Sequence, residues 1–178
     1  MDSLNIALLV FRVAVGATFF AHGYNHLFRG GKVEGTGRWF ASLGMRPGIV
    51  HAWLASVVEL AGGAMLIAGF LTPLAAASVT GTMLVAWMIN HRTNGFFIFR
   101  PGEGWEYVMN LAVAGFALGV LGPGEWSLDE LFGIDWTPTT RLAVTAIAGL
   151  GGAFALLALF WRPGEPEPSG SDDSDGEP

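Results

Sequence analysis

Histidines 22, 26, 51 and 91, together with Glu59, Glu106 and Asn110, are the residues of this 178-residue chain whose types and positions could do chemistry. His22 and His26 are spaced i, i+4, as are Glu106 and Asn110, so on a helix each pair shares a face. Such groups could carry protons, hold a metal, ligate haem or hydrogen-bond a polar headgroup. Metal binding gains nothing from the spacing, because no HExxH or similar ligand pattern occurs. The chain has no cysteine, which removes disulfides, thiolate ligands and thiol nucleophiles. Haem needs histidines paired on separate helices, and His22 with His91 is one such pair. A quinone headgroup asks for less: a few hydrogen-bonding groups near the membrane interface, beside apolar walls. His, Glu and Asn at these positions meet that need, with Phe96, Phe97 and Phe99 as nearby apolar surface. Neither a nucleophilic triad nor a phosphate loop is present, and Gly30-Gly31-Lys32 lacks the rest of a Walker motif.

The elements that must position these groups follow from composition. Apolar residues make up 52% of the chain, charged residues 13%, and 26 residues are glycine. A soluble domain carries roughly 25% charged residues, so this chain cannot coat a globule with charge, and lipid must take the apolar excess. Nucleic acid is excluded as a partner by 9 Lys+Arg against 15 Asp+Glu, a net charge of −6. Five stretches approach the roughly 20 apolar residues that a spanning helix needs: 4–24, 50–71, 73–91, 105–121 and 142–161. Arg12 lies inside the first, whose apolar residues outweigh the cost of about 3 kcal/mol for one central arginine. Met1-Asp2-Ser3 supplies no basic n-region, so residues 4–24 read as a retained helix and not a cleaved signal.

Local signals punctuate the connections. Thr72-Pro73 reads as an N-cap and first helical residue, making a tight turn between spans two and three. Ser127 to Glu130 matches a capping box, with Gly133 placed to end a short surface helix. Residues 36–43 form another candidate short helix, closed by Gly44. Small residues mark helix contacts: Gly62-Gly63-Ala64, Ala75 to Ala77, Gly115 with Gly119, and Gly149 with Gly151-Gly152. From residue 162 onward, Pro, Ser, Gly, Asp and Glu read as a disordered acidic tail. Six tryptophans near span ends read as interfacial anchors.

An alternating bundle brings all four histidines and Glu106 to one membrane face, with Glu59 about 12 Å below His51 at the helical rise. Ionisable groups inside a bundle tend to face its interior and are functional hypotheses by default. Glu59 must be either protonated or paired with a cation, Arg12 or a charged histidine being the candidates. A static network that fixes helix register is the competing reading. The same face holds Arg29, Lys32, Arg38, Arg46, Arg92, Arg100 and Arg162, which puts the N-terminus outside and the C-terminus in the cytoplasm.

An ordered set of motifs then resembles one family. His22-Gly23 with Leu27-Phe28, Gly35-Thr36 to Gly44, Glu59 to Gly63, His91 with Gly95-Phe96-Phe97, Gly104, Glu106, Asn110, Gly122-Pro123-Gly124 and Ser127 to Asp129 are similar to those of DoxX family membrane proteins. The resemblance covers residues 5 to about 130. It implies an all-α membrane protein built on a four-helix transmembrane bundle of DoxX type, residues 1–135. A fifth C-terminal transmembrane helix, 136–161, and the tail, 162–178, extend it. By the same resemblance His22, Glu59, His91, Glu106 and Asn110 carry over as motif residues. Together with His26, which stands where many members carry Lys and joins by its spacing from His22, they form the expected cofactor-binding cluster. The family's relatives include a small membrane subunit of a thiosulfate:quinone oxidoreductase and proteins tied to sulfur or oxidative-stress chemistry. The expected role is a cell-membrane subunit contributing to quinone-linked redox beside a redox enzyme or other complex partner. The chain itself carries no recognisable cofactor chemistry, and quinone is the ligand implied. The alternatives are a non-enzymatic scaffold or assembly partner and, lower, a transporter of protons or small solutes; the chain lacks the inverted repeat and broken helices a transporter would show.

Overall fold

A computed structural model describes residues 3–29 and 31–164. The expected disordered tail therefore lies, beyond its first three residues, outside the described residues. All regular structure among the described residues is helical. Helix α1 is Ser3–Phe28, α2 Lys32–Ser42 and α3 Gly48–Ala68. Helix α4 is Thr72–His91, its last turn, Trp87–His91, being π-helical. Then come α5, Glu106–Leu121, and the short α6, Leu128–Leu131. The last helix, α7, is Pro138–Phe160, with a π-helical stretch at Thr145–Gly151.

Four of these helices, α1, α3, α4 and α7, are long and apolar enough to cross a membrane, while α5 is a shorter apolar helix. Val10, Val57, Val113, Ile147 and Phe154 are each more than half exposed. An apolar surface spread over so many helices is stable only against lipid, so this is an integral membrane protein.

Small residues set the crossings. The α-carbons of Gly16 and Gly63 each face the other's backbone so closely that a Cβ on either would lie 2.8 or 2.7 Å from the partner's carbonyl oxygen. That close approach joins α1 to α3. Gly115 packs on Val79 of α4, and Gly119 on Thr145 of α7, so this GxxxG works within one bundle. Around these contacts Val15, Phe19, Leu66, Val79, Met83, Val108 and Leu118 form the core.

The Thr72-Pro73 turn is built differently from its sequence signature. Leu71, with φ 46°, takes the N-cap place and Thr72 begins the helix. The free N–H groups of Leu71 and Thr72 donate instead to the two oxygens of Asp129, at 2.7 and 2.9 Å. Asp129 comes from the expected capping box, in which Glu130 N–H donates to Ser127 Oγ at 3.2 Å. Arg12 is buried at this same end, where its Nη2 donates to the Trp126 carbonyl at 2.6 Å. Of the two candidate partners for Glu59, Arg12 is thereby removed: its long side chain reaches away from the histidines, to the loop before α6.

Candidate functional site

The histidine end of the bundle contains a cavity of about 460 Å³, lined by residues of six elements and by Glu103 of the α4–α5 loop. Helix α1 supplies His22 and His26, α3 supplies His51 and Glu59, and α4 supplies Asn90 and His91. Tyr107 of α5 joins them. Trp39 and Phe40 of α2 bound one side, and α7 contributes an apolar wall.

Glu59 is the most enclosed acid in this recess, 3% exposed. Its backbone is packed against α1, because Gly23 leaves no room there: a Cβ on Gly23 would sit 2.9 Å from the Glu59 Cβ. One turn along α1, His26 Nε2 stands 3.4 Å from Glu59 Oε2. That separation brings an imidazole to a carboxyl group without an aligned hydrogen bond, and Oε2 has no hydrogen-bond partner in the protein. A buried carboxyl oxygen left in this state costs on the order of 1–3 kcal/mol unless a ligand or water meets it. His26 Nδ1 lies 3.5 Å from the Thr36 hydroxyl, so α2 orients the ring.

His22 Nε2 is hydrogen-bonded to the Tyr107 hydroxyl at 2.8 Å. His91 is fully occupied by the protein. Its Nδ1 donates to the Glu103 carbonyl at 2.8 Å, which leaves Nε2 to accept from the Asn90 amide at 3.2 Å. His51 is buried, donates through Nε2 to the Arg46 carbonyl at 3.2 Å, and meets the Phe160 ring edge-on.

Of the six residues expected at the site, His22, His26, Glu59 and His91 line the cavity together. Glu106 and Asn110 do not. The Glu106 carboxylate accepts from the Ile98 backbone at 3.3 Å, and the Asn110 side chain donates to the Glu106 carbonyl at 2.9 Å on an exposed face. The first bond holds the loop before α5, and the second lies within α5 itself. Phe97 and Phe99, expected as apolar wall, are exposed and stacked on each other outside the cavity. Tyr107 and Asn90 were not singled out from the sequence. Tyr107 lies one residue after Glu106, on a different face of α5 from the Glu106–Asn110 pair. Among the described residues no group of three or more His, Asp or Glu side chains is arranged to hold a metal.

The family model DoxX matches residues 7–92. No curated protein and no solved structure matches the chain.

Proposed function

The chain is a DoxX family protein, and from that premise we propose that its recess binds the headgroup of a membrane quinone, serving redox chemistry as the membrane subunit of a partner enzyme. The observation that carries this reading is the Glu59 carboxyl group, buried in an otherwise largely apolar cavity with an oxygen, Oε2, that makes no protein hydrogen bond and has only the His26 imidazole beside it, at 3.4 Å. The cavity's volume, about 460 Å³, falls in the roughly 300–1,000 Å³ range of small-molecule sites.

Quinone chemistry supplies an acceptor of two electrons and two protons that dissolves in lipid. The electrons are assigned to the partner, because the sequence carries no cysteine and no recognisable flavin or haem motif. Its residues bind, orient and move protons. Glu59 and His26 face the ligand as a carboxyl–imidazole pair. His22 and Tyr107, joined at 2.8 Å, continue towards Glu103 at the exposed mouth. His91 positions the loop that carries Glu103. Helix α5 completes a five-span topology in the cell membrane, with the basic loops and the C-terminus cytoplasmic. Because the chain has no native cysteine, single cysteines at Arg38 and Thr137 report that orientation directly: a water-soluble maleimide added outside intact cells labels position 137 and leaves position 38 unlabelled.

The binding test uses purified protein in nanodiscs with decylubiquinone as probe. Wild type binds, and Glu59→Gln, which keeps shape but cannot ionise, loses about tenfold in affinity. Equal and negligible binding by both proteins removes the reading. One observation favours a scaffold instead: Phe99, Leu131 and Phe132 are 78%, 72% and 62% exposed on loops and the surface helix α6. In that case Leu131→Ser with Phe132→Ser abolishes capture of a membrane partner while Glu59→Gln leaves it intact.

A further inference from the structure

Helix α7 lies beyond the residues that match the family, yet it forms a wall of the cavity. Every lining residue it provides is apolar: Ala148, Gly149, Gly152, Ala153 and Leu156. Helix α4 packs against both α3 and α7, whereas α3 and α7 make no extended contact with each other. They meet at the histidine end, where Phe160 touches His51 and its carbonyl accepts from the Arg46 N–H at 3.1 Å. Below that join, Leu54 on α3 and Ala148 and Gly152 on α7 line the cavity and are also exposed on the membrane-facing surface.

The glycines of α7 divide accordingly. A Cβ on Gly149 would touch the Ala77 carbonyl at 3.1 Å, so this glycine seats α7 on α4. A Cβ on Gly152 or Gly151 meets nothing. The expectation that all three pack within the bundle holds for Gly149 alone. Along α4, the lining residues run from small Ala77 and Gly81 to polar Asn90 and His91. From residue 77 to 91 the helical rise gives about 21 Å, far more than one planar headgroup fills.

We infer that the gap between α3 and α7 is a lateral portal, through which a lipid-soluble ligand with a hydrogen-bonding headgroup enters from the bilayer and along which its apolar tail lies. The orphaned Glu59 oxygen identifies the headgroup end, and the apolar faces of α3 and α7 suit the tail. A water-borne solute gains nothing from such a mouth, since its sides are Leu54, Ala148 and Gly152 at the depth of lipid. The inference deepens the quinone reading and rests on it for the identity of the ligand; the portal itself is a property of the two helices.

Two measurements test it. Decylubiquinone binding in nanodiscs is compared for wild type, Gly152→Trp and Gly151→Trp. Both substitutions project from a helix into open space, so both proteins fold. Gly152→Trp fills the mouth and weakens binding about tenfold, while Gly151→Trp stays within about twofold. Equal affinities in all three overturn the portal and leave the quinone site standing. The second measurement uses no quinone. A nitroxide on Ala55→Cys, inside the cavity, relaxes through lipid-dissolved oxygen more than through a water-soluble nickel chelate, and Gly152→Trp cuts the oxygen effect. Dominant relaxation by nickel, or no change with Gly152→Trp, sinks the portal. If wild type binds no quinone yet the nitroxide behaves as stated, the ligand assignment fails and the portal survives.

Discussion

Asp129 accepts the first two backbone donors of α4 through separate oxygens. Its removal strands a buried N–H at Thr72. Asp129→Ala is expected to lower stability by about 1–3 kcal/mol, and Asp129→Asn, which keeps one acceptor oxygen, by about half as much. Thermal unfolding in detergent measures both. His91 makes a contrasting case, because its two ring nitrogens are satisfied by Asn90 and Glu103 and not by a ligand. His91→Ala should raise backbone hydrogen exchange across residues 94–104 by about tenfold or more while changing decylubiquinone affinity much less than Glu59→Gln does. The opposite ranking would assign His91 to the ligand. At this scale the placement of His22, His26, Glu59 and His91 was legible, since topology alone carries them to the end of the bundle where the cavity lies. Hydrogen-bond partners are invisible in a sequence. His91, which ties a loop, and Glu59, which is left with an oxygen outside any hydrogen bond, therefore look alike in the sequence.

Two identical dipeptides show why element boundaries are harder to read than elements. Thr72-Pro73 and Thr137-Pro138 both carry an N-cap signature. In the first, the threonine lies inside the helix and a distant aspartate caps it. In the second, Thr137 is the cap and accepts from the Thr140 N–H at 3.2 Å, so α7 begins at Pro138, four residues before the apolar stretch that marks it in the sequence. The partner decides between the two: it is tertiary, about 60 residues away, in one case and local, three residues away, in the other. The four long apolar helices were legible because lipid imposes a length and a composition on every spanning helix, whereas the 105–121 stretch forms a shorter apolar helix, Glu106–Leu121. Glycine roles were not, because a glycine at a crossing and a glycine at an opening have the same side chain. Their energetics differ: Gly63→Val forces a branched side chain into the α1 backbone and is expected to cost about 1–3 kcal/mol or to block folding. Gly151→Val meets open space and should leave the unfolding temperature nearly unchanged.

The whole molecule turns on whether α7 is an appendage to a four-helix domain or part of one body with it. Read from the sequence, the division falls at residues 135 and 136, where the family-like portion ends and an extra span begins. The contacts across that boundary are extensive. Thr145 is buried and packs on Gly119, and Gly149 closes on Gly81. At the histidine end, Trp161 Nε1 donates to the Leu43 carbonyl at 2.9 Å, Arg162 N–H donates to the Gly44 carbonyl at 2.7 Å, and the Arg92 guanidinium lies 5.3 Å over the Trp161 ring. These bonds clasp the end of α7 to the turn that joins α2 to α3, the turn that also holds His51 in place through Arg46. A chain ending at residue 135 would expose the small-residue face of α4 and lose a cavity wall together with this clasp. Such a chain is expected to express poorly or to aggregate in detergent, and supplying residues 136–164 as a separate peptide in the same membrane should restore a monodisperse species. A truncated protein that melts at the same temperature as the full chain would instead make α7 dispensable to the fold, leaving it a role only as the wall of the cavity. Trp161→Ala separates those cases at smaller cost. It removes one hydrogen bond and the cation–π contact, worth together about 1–3 kcal/mol. The loss should be local to the clasp, visible as faster hydrogen exchange at residues 43–46 with α4 and α5 unaffected.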